Sequence, residues 1–153
     1  MHHRPHRDVE VLVGQFRQDC RAAGMAITHQ REVIFRALME MDGHPSPEAI
    51  YGRVKHQIPA ISLATVYKNL KTFIDTGLVS EVSLHHGALR LETNSLPHHH
   101  FVCTRCKEIF DLEDDHLAPV ELRRELPGGF RLQRYSVEFQ GLCGRCAAEA
   151  AQS

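Results

Sequence analysis

Four cysteines carry the clearest chemistry in this chain. Cys103 and Cys106 sit in Cys-Thr-Arg-Cys, and Cys143 and Cys146 in Cys-Gly-Arg-Cys. Two such pairs can close a tetrahedral four-thiolate site. Zn(II) suits it, being borderline-soft, redox-inert and without a geometric preference of its own. Gly144 eases the second tight turn sterically. Disulfides or redox dithiols are the competing reading. No secretion signal is visible and Cys20 has no partner by spacing, and both facts favour metal over a disulfide framework. With all four positions filled by protein, such a site is structural.

A histidine run leads into the first pair: His98-His99-His100-Phe101-Val102-Cys103. Two residues apart on a strand, His98 and His100 share a face, and His99 points the other way. The next strand-like run, Glu108 to Leu112, contains Asp111, and a hairpin would return it towards the histidines. A nitrogen and carboxylate set suits a second, exchangeable ion: Fe(II), Mn(II) or Zn(II). A solvated histidine run or a tag scar is the bland alternative, and the internal position beside the cysteines argues against a tag. Asp114, Asp115 and His116 follow, and solvated surface is their simplest reading.

The elements that must position these residues fit 153 residues, room for one domain or two small ones. Hydrophobic residues make up 42% and charged residues 24%, as in a soluble globular protein. No apolar run is long enough for a bilayer, and the cytoplasm is the expected location. The start, Met1 to Arg7, is polar. Net charge is -1, so charge alone does not announce nucleic acid. Residues up to Glu92 carry 11 basic and 10 acidic side chains, the remainder 7 and 9. Twelve histidines are the compositional outlier, consistent with metal binding.

Asp8 to Ala23 has apolar residues at helical spacing, with Cys20 on the stripe and Gly24 at its end. Thr28 caps a second helix that buries Val33, Ile34, Ala37, Leu38 and Met41. Ser46-Pro47 opens a third, to about Gln57. Ser62 caps a fourth, Leu63 to Thr76, ended by Gly77. Two strand-like runs follow, Leu78 to Val82 and Leu89 to Glu92, with a turn at His85-His86-Gly87. Helices followed by a hairpin form a winged helix-turn-helix, whose second motif helix enters the major groove. The polar face of the fourth helix holds Thr65, Lys68, Asn69 and Thr72, with Tyr67 beside it. These offer a hydroxyl, an ammonium, an amide and a phenol to bases and phosphates. A solvated polar face is the alternative.

The fold class predicted is α+β: a winged helix-turn-helix over 1–92, a hinge over 93–97 that ends in Pro97, and a small α/β unit over 98–153. The second unit is expected to run strand, knuckle, strand, helix (Leu117 to Leu126), strand (Phe130 to Phe139), knuckle and an Ala-rich tail. So small a unit has little core, and a metal could supply its folding energy.

These segments together resemble the ferric uptake regulator (Fur) family. Gly24-Met25-Ala26-Ile27-Thr28-His29-Gln30-Arg31, Ser62-Leu63-Ala64-Thr65-Val66-Tyr67, the His98-to-Cys106 stretch and Cys143-x-x-Cys146 are similar to its signatures, in order, over about Ala22 to Ala147. The resemblance implies a homodimeric, metal-dependent transcriptional repressor, not an enzyme, that binds an AT-rich palindrome in double-stranded DNA. It implies structural zinc at Cys103, Cys106, Cys143 and Cys146. It implies a regulatory ion, Fe(II) or Mn(II) with Zn(II) an option, at His44, Glu92, His98, His100 and Asp111. It places DNA contacts at Arg31, Thr65, Tyr67, Lys68 and Asn69, with Tyr67 and Lys68 facing bases and phosphate. Ala26 stands where the family usually has a basic residue.

Asp111 resembles the peroxide-sensing (PerR) branch, where a ligand histidine is oxidised, which would be His44 or His98 here. Pro97 in place of a further histidine points the same way. Glu92, where that branch commonly has aspartate, points to the alternative, an iron- or zinc-uptake regulator. A zinc hydrolase lacks a His-Glu-x-x-His pattern, and a thiol oxidoreductase lacks a thioredoxin-like unit around its Cys-x-x-Cys.

Overall fold

The structure is a computed structural model, and it describes residues 8–82, 88–94 and 97–152. The polar start, the turn at His85-His86-Gly87 and the hinge positions Ser95 and Leu96 lie outside these. The chain divides into two compact units, residues 1–94 and 95–153. The architecture is α+β, a winged helix-turn-helix followed by a small unit with a three-stranded sheet.

The first unit begins with four helices: α1 (Val9–Ala22), α2 (His29–Glu40), α3 (Pro47–Val54) and α4 (Leu63–Asp75). Each N-terminus is capped by a side-chain oxygen. Asp8 accepts from Glu10 and Val11, Thr28 from Arg31, Ser46 from Ala49 and Ser62 from Thr65. Each cap satisfies backbone N–H groups that the helix itself leaves orphaned. Gly24 and Gly77 take positive φ, 66° and 74°, just past α1 and α4. There the N–H groups of Met25 and Leu78 reach back to the carbonyls of Cys20 and Phe73, a turn that favours glycine.

These helices bury one cluster, with Phe16 stacked on Phe35 at 4.2 Å and Phe73 edge-on to Phe16 at 5.3 Å. Cys20 is wholly buried on the α1 stripe, a small hydrophobe in that cluster. The wing is an antiparallel pair, β1 (Ser80–Val82) and β2 (Arg90–Glu92), with Glu81 opposite Leu91. α3 stops three residues before the expected Gln57, because the chain tightens after Val54 towards Pro59. Thr76 caps α4 rather than continuing it, and β1 starts two residues later than Leu78.

In the second unit, β3 (His98–Cys103) is central. It pairs antiparallel with β4 (Ile109–Glu113) and parallel with β5 (Glu138–Gly141). α5 (Gly144–Ala151) follows, so the Ala-rich tail is helical from the second knuckle onward. β5 lies close against β3: a Cβ on Gly141 would sit 3.0 Å from the Phe101 ring.

The expected helix over Leu117 to Leu126 does not form. The expected strand from Phe130 pairs only from Glu138. Val120, Leu122, Phe130, Leu132 and Tyr135, which would form the apolar faces of those elements, are 45–70% exposed. Among the described residues this segment buries little of its apolar face, too little to offset the entropy of ordering it.

Candidate metal centres and nucleic-acid interface

β3 ends at Cys103, and the knuckle that follows is set by its backbone. Lys107 takes a positive φ of 63°, its N–H donates to the Cys103 carbonyl, and the Cys103 N–H donates to Glu108. The second knuckle is held beside the first: Thr104 donates to the Gly141 carbonyl, and the Cys143 N–H to the Cys103 sulfur at 3.4 Å. Cys146 lies in the first turn of α5. All four sulfurs fall within 4.8 Å of one another, with Cys106 and Cys143 3.9 Å apart. A tetrahedron with metal–sulfur arms of about 2.3 Å has edges of about 3.8 Å, whereas a disulfide needs about 2.05 Å. None of the four is joined in a disulfide. The N–H groups of Cys106 and Cys143 lower the Cys103 thiol to about 6, and burial pushes Cys146 up to about 12. Protons alone therefore leave Cys103 and Cys146 unequal, and a divalent cation is what would hold both as thiolates.

The opposite face of the same strand carries the histidines. The Nε2 atoms of His98 and His100 are 3.0 Å apart. Asp111 lies directly across the hairpin from His100, and its Oδ1 is 3.5 Å from His98 Nε2 and 3.9 Å from His100 Nε2. All three side chains are at most 19% exposed. Two imidazoles and a carboxylate thus converge on one point in a mostly buried setting. His99 faces away. Its Nδ1 accepts the Val137 N–H at 3.0 Å, its ring stacks on Tyr135, and the Val137 carbonyl accepts from His100 N–H.

In the first unit, His44 Nε2 lies 3.3 Å from Glu92 Oε2, with both side chains nearly buried. The loop holding His44 is stitched to β2 and its continuation. Leu91 N–H donates to the Pro45 carbonyl, Arg90 to the His44 carbonyl, and the Thr93 hydroxyl to Gly43. Glu92 is oriented by the Asn94 N–H at 2.7 Å. Arg90, Thr93 and Val137 escape a reading of the sequence because each contact has a backbone group on at least one side, a carbonyl for Arg90 and Thr93 and its own peptide for Val137, which no residue type announces. Asp115 and His116 pair at 3.2 Å on open surface. The Asp114 side chain lies outside the described residues.

The outward face of α4 sorts its polar residues. Tyr67 and Lys68 are exposed. Thr65 and Asn69 are half-buried and engaged with their own helix end: the Thr65 hydroxyl with Ser62, the Asn69 amide with the Thr65 carbonyl. Thr72 bonds the Lys68 carbonyl. Arg31 donates to the Ala26 carbonyl at 2.6 Å. Tyr67 also holds a partner 19 residues away, donating to Glu48 on α3 at 2.6 Å.

The family model described as the ferric uptake regulator family matches residues 22–140. The peroxide-responsive repressor PerR of Staphylococcus epidermidis is 34% identical over 129 residues, which span 84% of this chain and 86% of that protein. Among solved structures, the Helicobacter pylori ferric uptake regulator Fur superposes with a TM-score of 0.73 at 18% identity, covering 94% of this chain and 97% of that one. The peroxide-sensing PerR of Streptococcus pyogenes superposes with a TM-score of 0.50 at 26% identity, covering 95% and 98%. No helix among the described residues is long and apolar enough to cross a membrane.

Proposed function

Since the chain belongs to the ferric uptake regulator family and is a regulator rather than an enzyme, we propose that it is a homodimeric, metal-dependent repressor that senses hydrogen peroxide. Cys103, Cys106, Cys143 and Cys146 hold structural Zn(II), a role supported by sulfur spacing that matches a tetrahedron and by four donors that leave no position for substrate. His44, Glu92, His98, His100 and Asp111 hold the regulatory ion, Fe(II) or Mn(II), with Zn(II) able to compete. The observation that carries this reading is the meeting of His98, His100 and Asp111 on one face of the β3–β4 hairpin. Mixed imidazole and carboxylate donors suit ions that exchange, unlike the thiolates on the other face.

His44 and Glu92 come from the first unit and the other three from the second. An ion that takes ligands from both binds only one arrangement of them, and shifts the population to it by its differential affinity. In a dimer that arrangement sets the separation of two α4 helices, and so the fit to an AT-rich palindrome. Arg31, Thr65, Tyr67, Lys68 and Asn69 make the DNA contacts, with Tyr67 and Lys68 foremost because they alone of these are exposed. Dimerisation is supported by the exposed apolar side chains between β4 and β5 and by the outer edge of β5, whose backbone groups a second copy could pair.

Fe(II) held by His44, Glu92, His98, His100 and Asp111 would activate hydrogen peroxide for a two-electron oxidation of a neighbouring imidazole. The residues supply the target: one peroxide oxygen is added to the imidazole of His44 or His98, the other leaves as water, and a ligand is lost. The test is to expose the Fe(II)-loaded, zinc-containing protein to peroxide and map the peptides by mass. A gain of about 16 Da on a peptide holding His44 or His98, absent with Mn(II), is expected, together with release of DNA. Unoxidised peptides, with DNA binding that follows Fe(II) or Zn(II) supply alone, would establish the uptake-regulator reading that Glu92 favours.

A further inference from the structure

Tyr67 Oη lies 2.6 Å from Glu48 Oε1. Glu48 stands in the first turn of α3 and Tyr67 on the exposed face of α4, so the bond ties one helix to the face that would enter the groove. The two groups shift each other. The Tyr67 hydroxyl holds the Glu48 carboxyl below its usual range, and Glu48 pushes the phenol up. At neutral pH the carboxylate has only lone pairs, while a phenol has a single proton. The direction of the bond is therefore fixed: Tyr67 donates and Glu48 accepts.

The proton committed to Glu48 is the only one Tyr67 has. Its outward side then offers an oxygen lone pair and an apolar ring edge. A DNA phosphate presents only acceptor oxygens and negative charge, and both the lone pair and the nearby carboxylate repel it. Base edges are different. In the major groove, adenine N6 and cytosine N4 are donors and thymine carries a methyl group, so an A·T pair offers a donor and an apolar surface together.

We propose that Glu48 is a positioning residue that determines specificity at the DNA interface: by taking the hydroxyl proton of Tyr67, it turns that side chain from a phosphate ligand into a reader of major-groove base edges, where every pair offers an amino donor and A·T alone adds a methyl group for the ring. The inference rests on α4 being the helix that reads DNA. Glu48 itself touches no base; its carboxylate acts through Tyr67 and disfavours unspecific docking of the backbone.

The probe is a duplex library with a randomised core, selected on the full-length, Mn(II)-loaded protein. The preferred duplex, its single-pair variants and an unrelated duplex are then titrated with wild type, Glu48→Gln, Glu48→Ala, Tyr67→Phe and the double variant Glu48→Ala/Tyr67→Phe. Glu48→Ala should lower the ratio of specific to unrelated affinity roughly fivefold, the scale of one hydrogen bond, and flatten the preference at the pair that Tyr67 faces. Glu48→Gln, whose carbonyl still accepts the hydroxyl, should keep most of that ratio. In the Tyr67→Phe background Glu48→Ala should have no further effect on base preference. If Glu48→Ala acts equally in both backgrounds, or leaves the preference profile unchanged, the proposal is overturned while DNA reading by α4 stands. A wild type that selects no sequence at all overturns both.

Discussion

If zinc fills the four-cysteine site as proposed, removing it should unfold the second unit and spare the first. In the first unit sixteen buried side chains form one cluster, from Val13 to Leu91. In the second, the buried apolar side chains among the described residues are Val102, Cys103 and Cys146, two of them thiolate candidates. Burying a valine is worth about 2 kcal/mol. Ordering each backbone residue costs about 1–2 kcal/mol. A sheet of three short strands around one valine does not hold on those terms. A four-thiolate zinc contributes about 10–16 kcal/mol at neutral pH. That exceeds the packing the unit buries by several-fold, so the metal decides the balance. The assay is hydrogen exchange followed by mass spectrometry, before and after a strong chelator under reducing conditions. Amides of β3, β4 and β5 should exchange like those of an unfolded chain, while those of α1 to α4 keep their protection. Cys103→Ser should give the same pattern even with excess zinc, and should abolish the proposed dimer. Persistent protection of β3 after the metal is gone would refute the reasoning.

Other perturbations follow from single contacts. Lys68→Ala should weaken binding to every duplex and lower the salt slope by about one, read from titrations at several salt concentrations. Phe73→Ala removes a wholly buried ring that packs edge-on against Phe16 and Phe35, and should cost about 3–5 kcal/mol in urea denaturation of the first unit. The Arg17 guanidinium bonded to Glu32 holds that carboxyl below its usual range. Its contribution is complete above the unfolded value of about 4.3 and fades as pH falls through the folded one. Melting curves at pH 7 and pH 3 should therefore show wild type losing its advantage over Arg17→Met in acid.

Helical punctuation made much of the first unit legible. Thr28, Ser46-Pro47, Ser62, Gly24 and Gly77 are local signals, and local geometry obeys them. The return of Asp111 beside the histidines was legible too, because a hairpin and a period of two leave few other positions for it. The segment between β4 and β5 was misread for a physical reason. Val120 and Leu122 lie on the expected helix and Phe130, Leu132 and Tyr135 on the expected strand, and all are largely exposed among the described residues. Periodicity records that a face is apolar, not which chain supplies its partner. The Glu48–Tyr67 bond and the grip of His99 and His100 on the Val137 peptide were hidden for another reason. They join residues 19 and nearly forty positions apart, and no spacing rule reaches that far.

One six-residue ribbon, β3, presents imidazoles on one side and delivers Cys103 on the other. Parity of residue count is what keeps the two chemistries apart. Insert a single amino acid between His100 and Cys103, and every motif would survive as written while the imidazoles and the sulfur turned to the same side. Among descendants of this chain, deletions or additions within that interval should come in twos or not at all, whatever happens to the identities of Phe101 and Val102.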